Sequence, residues 1–141
     1  MTNLAPRHMF DPIIPATLAL ILGGFATKGH ANEAGRTEYV AHCAACHGIE
    51  GRGDGPVAAY LTVATPALTS LARANDGVFP MLNVIQVIDG RSGVGPHGTG
   101  MPVWGTRFVA ETVDDAGRFG AEIIVRGRIL ALAEYLQTIQ D

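Results

Sequence analysis

Cys43-Ala44-Ala45-Cys46-His47 decides how this chain is read. These are its only two cysteines, and a histidine follows the second directly. C-x-x-C-H is the attachment signature of a c-type haem. On a helix, residues three and four apart share a face. Cys43 and Cys46 can therefore reach the two vinyl groups along one porphyrin edge, while His47 brings an imidazole nitrogen under the iron. Three other uses compete. A structural zinc site takes four ligands, so His47, His42 or His97 would have to complete it at no recognised spacing. A thioredoxin-like redox pair belongs in a cytosolic βαβ context. A plain disulfide is the third.

Working outward, the N-terminus reads as an export signal. Arg7 and His8 give a modest basic region, and Ile13 to Ala26 is an apolar run broken only by Pro15 and Thr17. Gly29-His30-Ala31 offers small residues for a signal peptidase. The run is short for a bilayer span, although Asp11 and the weak positive charge leave an uncleaved anchor as the alternative. The expected division is a signal peptide over 1–31 and a haem domain over 32–141. Export suits the motif, because c-type haem is attached outside the cytoplasm.

The 141 residues make one domain. Without the signal, eight arginines and no lysine face twelve acids, a net charge of about −4 that two ionised propionates take to about −6. Nucleic acid and anionic membranes are excluded as partners on that balance. A membrane association is expected only if the N-terminal segment is retained. A core this small would gain much of its apolar burial from a large covalent cofactor.

The rest of the chain reads as helices between irregular loops. Asn32 to Cys46 is a first helix, with Gly35, Tyr39 and Cys43 on one stripe. Four glycines between Gly48 and Gly55 forbid regular structure and let backbone approach a flat ligand. Pro66 to Thr69 is extended, with Thr69 as the N-cap of a short helix to Asn75, closed by Gly77. Pro80 opens another helix with an apolar face of Met81, Val84, Ile85 and Ile88, ended by Gly90. Residues 91–107 form a glycine-rich loop carrying Met101 and Trp104. Residues 110–121 are acidic and poorly periodic and read as a surface loop. A last helix begins near Glu122, with Ile129, Leu132, Leu136 and Ile139 as its apolar positions. Strand-like alternation and internal repeats are absent, so the class is all-α.

With these residues in place, the chain resembles the class I (mitochondrial-type) cytochromes c, especially the small monohaem bacterial ones. The resemblance spans residues 33–141. It rests on the Gly35/Tyr39 helix, the Cys43–His47 motif, Gly55-Pro56, Met101-Pro102 and the Leu132/Tyr135 helix. It implies three to five helices around one covalent haem c, with the first and last helices crossing through Gly35, Tyr39, Leu132 and Tyr135. It implies His47 as proximal ligand, with its second ring nitrogen held by the Pro56 carbonyl. The absence of lysine departs from the lysine-ringed haem edge of the mitochondrial proteins.

Met101 is the candidate sixth ligand. Pro102 pushes it out of helical conformation, and Gly98 and Gly100 free the backbone to loop over a porphyrin. Met81, at helical spacing with Val84 and Ile85, reads as core. His97 in place of Met101 would give a bis-histidine centre, and His42 reads as a surface residue. Trp104, Arg91 and Arg107 are candidates to hold a propionate. The resemblance implies a periplasmic single-electron carrier between a redox donor and acceptor, with no catalysis of its own. Two alternatives stay open. One is a cytochrome subunit docked on a dehydrogenase or reductase, which a large exposed apolar patch would favour. The other is a five-coordinate gas- or peroxide-reactive haem protein, which requires Met101 to be off the iron.

Overall fold

The computed structural model describes residues 27–91, 93 and 100–141. Residues 1–26 of the expected signal (1–31), and His97 and Gly98, lie outside the described residues, while residues 27–31 belong to the first turns of α1. Among the described residues four α-helices form, α1 (Thr27–His42), α2 (Ala44–His47), α3 (Met81–Asp89) and α4 (Trp104–Thr138), with single 3-10 turns at Ala58–Tyr60 and Arg73–Asn75. The all-α class expected from the sequence is what forms, and no strand occurs among the described residues. No described helix is long and apolar enough to cross a membrane.

The first and last helices cross where the sequence places its glycine. A Cβ at Gly35 would stand 2.0 Å from the Ala131 carbonyl oxygen and 2.7 Å from Tyr135 Cβ. Only a residue without a side chain lets α1 sit this low on α4. One turn on, Tyr39 is fully buried and its ring centroid lies 5.3 Å from that of Tyr135. Its hydroxyl donates to the Gly48 carbonyl at 2.6 Å, so the crossing also grips the end of α2. Tyr39, Phe108, Val125 and Leu132 are the largest fully buried side chains, and Val84 and Ile88 of α3 join the same core.

Three local expectations are corrected. Helix α1 stops at His42 instead of running to Cys46, and Cys43 is the junction with the separate turn α2. Thr69 does not cap a helix: its hydroxyl donates to Asp141 Oδ2 at 2.8 Å and pins the C-terminus. Residues 110–121 are helical, because α4 begins at Trp104 rather than near Glu122. Within α4, Gly117 leaves helical geometry (φ 66°, ψ 169°). That break resets the phase of the apolar positions, so Phe108 and Ala121, both buried, do not fall on one uninterrupted stripe. The run looked aperiodic for that reason.

Met81 to Asp89 forms as expected. Pro80 precedes the first turn, and Gly90 closes the last in the left-handed region (φ 66°), its N–H donating to the Gln86 carbonyl at 2.9 Å.

The crossing sets a first expectation. Gly35→Ala gains helix propensity but forces α1 off α4, so the net loss should be about 1–3 kcal/mol, within the range for overpacked cores. Tyr39→Phe should cost about 1 kcal/mol for the lost hydrogen bond. Denaturant midpoints at unchanged m-value measure both.

Candidate haem site

One cleft gathers the residues singled out by the motif. Its volume is about 230 Å³, and Cys43, Cys46 and His47 lie in its wall. Leu61 to Pro66 contribute from the loop after α2, Val84, Val87 and Ile88 from α3, and Leu132 and Leu136 from α4. Met101 and Trp104 also line it, whereas Met81 does not and packs against the core. The walls are mostly aliphatic, as a flat apolar macrocycle would need.

The turn at the motif is held by its own backbone. Cys46 and His47 N–H groups both donate to the Cys43 carbonyl, at 3.1 and 2.9 Å. Both thiols are free, so the disulfide reading does not apply. Burial, reinforced by Glu38 and Cys46, pushes the Cys43 thiol up to about 12. It stays protonated at neutral pH in the unliganded protein. Among the described residues no three His, Cys, Asp or Glu side chains converge as metal ligands.

His47 is 8% exposed. Its Nδ1 lies 3.1 Å from the Pro66 carbonyl oxygen. A carbonyl only accepts, so Nδ1 carries the proton and Nε2 keeps its lone pair for a metal. Burial lowers the imidazole pKa while the Pro66 bond opposes that shift, and the neutral form is the one that ligates.

The acceptor is therefore Pro66 and not Pro56. Gly55 N–H donates to the Cys46 carbonyl at 3.1 Å and Val57 N–H to the Ala45 carbonyl at 2.9 Å. Those bonds lay Gly55-Pro56 along the outside of α2, where Pro56 is exposed. The glycine loop makes room for the true partner. Gly53 sits at φ +79°, and a Cβ there would come within 2.5 Å of the Thr65 carbonyl oxygen. Leu68 N–H donates to the Gly51 carbonyl at 2.7 Å. The Thr65–Pro66 backbone is thereby drawn across the loop to His47.

Arg91 bonds Asp89 and Glu122 through its guanidinium, tying the end of α3 to α4, and it is not among the residues of the cleft wall. Arg107 stacks its guanidinium 5.6 Å from the Trp104 ring centroid, outside the lining. Trp104 is buried in the wall, packed on His42 and Phe108.

His42, expected at the surface, is half-buried in the cleft wall. It completes a network that sequence reasoning missed. Arg128 binds Glu38 through two bonds of 2.9 Å, reaches Glu111 at 2.8 Å, lies 3.2 Å from His42 Nε2, and covers the Phe108 ring at 3.7 Å. The partners come from distant parts of the chain, so no local motif announces them. Thr65 was missed as well. Its hydroxyl is buried in the cleft wall without a hydrogen-bond partner among the described residues. A buried orphan hydroxyl is costly, and a ligand oxygen such as a propionate would satisfy it. The residues present thus fit a haem: paired thiols, a neutral imidazole, aliphatic walls and one waiting donor.

A family model described as cytochrome C oxidase, cbb3-type, subunit III, matches residues 30–119, well over half of the chain. No curated protein and no solved structure matches it.

Arg128→Ala would strand Glu38 and should cost about 2–4 kcal/mol, less than a wholly buried pair because both groups keep some solvent. Arg128→Lys should recover only part. Thermal or denaturant melts of the purified protein report both.

Proposed function

The chain belongs to the c-type cytochrome family described as subunit III of cbb3-type cytochrome C oxidase, and from that membership we propose a periplasmic, exported single-electron carrier with one covalent haem c. Haem-based electron transfer, rather than enzyme catalysis, follows from the family. In this reading Cys43 and Cys46 would form the thioethers, and His47 and Met101 would hold the iron. The observation that carries it is one apolar cleft shared by the two thiols, a neutral His47 and Met101.

Bound in that cleft, the haem iron would store the electron as Fe(II). The chain's own residues do the rest. Pro66 fixes the His47 ring and its tautomer, so ligation costs no reorientation. The Met101 thioether favours the reduced iron and raises the potential. Leu61, Val84 and Leu132 exclude water, which keeps reorganisation small between oxidation states. Thr65 donates to a propionate. The family is described by an oxidase subunit, and that favours a second reading in which the protein docks permanently on a larger redox complex.

Acid-acetone extraction should leave haem on the polypeptide, and Cys43→Ala with Cys46→Ala should abolish stable holoprotein. Freely extracted haem would sink the proposal. Met101→Ala should lower the potential and open the iron to added cyanide, whereas Met81→Ala should change neither. If Met101→Ala leaves the spectrum and the potential unchanged, Met101 is not the sixth ligand.

With twelve acids against eight arginines after signal removal, electron transfer to a basic partner should slow as ionic strength rises, because screening weakens attraction. The bimolecular rate across a salt series measures this. A rise would mean that like charges meet, and a flat profile would favour the permanent subunit.

A further inference from the structure

One face of α4 serves neither the core nor the cleft. Phe119, Ile123 and Leu130 are 81%, 60% and 44% exposed, and Gly127 beside them is exposed too. At roughly 100° per residue these four fall within about a quarter-turn of one another, along about 17 Å of helix. Leu132 and Leu136, which line the cleft, lie on the opposite side of the same helix. A continuous apolar stripe pointing away from the cofactor site marks a surface for another macromolecule.

Gly127 gives an independent reason. It sits inside a helix with helical backbone, at a cost in propensity. A Cβ added there would meet nothing within 4 Å, so the fold of one chain does not require glycine at this position. Close approach of a second helix does.

The charges identify the occupant. Glu122 and Arg126 stand on the same flank of the stripe, one turn apart. Arg91 holds the Glu122 carboxylate in place, and Arg126 has no ion-pair partner among the described residues. In an antiparallel pair of identical helices related by a twofold axis, each flank meets the same flank of the other copy running backwards. An axis near residue 124 sets Glu122 against Arg126 of the second copy, twice. The same axis sets Phe119 near Leu130 and Gly120 near Gly127. Apolar, glycine and charged positions are self-complementary about one centre.

We propose that this face of α4 binds a second copy of the chain, forming a twofold dimer with both clefts directed outward. The proposal does not depend on which ligands hold the iron.

The test is sedimentation of the purified haem-loaded protein over a wide concentration range. A monomer–dimer equilibrium is expected. Ile123→Glu and Arg126→Glu should each weaken it by about tenfold or more, since an isologous contact places like charges together twice. Arg126→Lys should retain it. Gly127→Leu adds apolar surface yet should also weaken the dimer by blocking close approach, which separates specific packing from general stickiness. Unchanged haem spectra in these surface variants verify that they fold. A monomer at every concentration overturns the proposal, and so does capture of this face by a different protein in place of a second copy. A dimer that survives Ile123→Glu, or strengthens with Gly127→Leu, overturns it equally.

Discussion

Everything in this fold hangs on how closely α1 lies on α4. The missing side chain at Gly35 sets that distance, because the backbone of Ala131 occupies the space a Cβ would take. At this depth Tyr39 is swallowed whole and its hydroxyl reaches the Gly48 carbonyl. Gly48 ends the turn that carries the two thiols and the imidazole. A contact between the two ends of the chain thus fixes the reactive turn, with one tyrosine as the connecting rod. Burial keeps that phenol protonated, well above its ordinary range, so the rod stays a donor at any physiological pH.

Around that frame, polar and apolar work is divided sharply. The cleft is aliphatic, and its few polar atoms each have a distinct task. The imidazole proton is bonded to Pro66, while the Thr65 hydroxyl waits for a partner. Charge is kept behind the wall, in the cluster of Arg128, Glu38 and Glu111. Arg128 there does three things at once. It neutralises a carboxylate on α1, bridges to the first half of α4, and lies flat on Phe108, whose ring packs on Trp104 in the cleft wall.

What the sequence revealed depended on whether a residue's partner was near or encoded in type. The cysteine–histidine motif is complete within five positions, and a helix glycine opposite an aromatic implies a crossing. The all-α class and the roles of Gly35, Tyr39, Leu132 and Tyr135 were therefore legible. The Pro66 bond was not, because two prolines follow within twenty residues of the motif and only the path of the glycine loop selects between them. The ion pairs of Arg91 were hidden too, since Asp89 and Glu122 could not be seen to meet it. Residues 110–121 hid their helix because Gly117 interrupts the phase that reveals one. His42 looked superficial until Trp104 and Phe108, more than sixty positions away in sequence, closed over it.

The crossing also has a consequence in time. Gly35 and its contact at Tyr135 are about a hundred residues apart, and such distant contacts form late because loop closure must come first. As the chain folds, α1 has nothing to close on until the final turns of α4 have formed. Through that interval Cys43 is not yet buried, and its thiol keeps the ordinary acidity that burial later removes. The window for covalent chemistry on the motif is therefore set by the order of folding: it opens with the first helix and shuts when the last one docks.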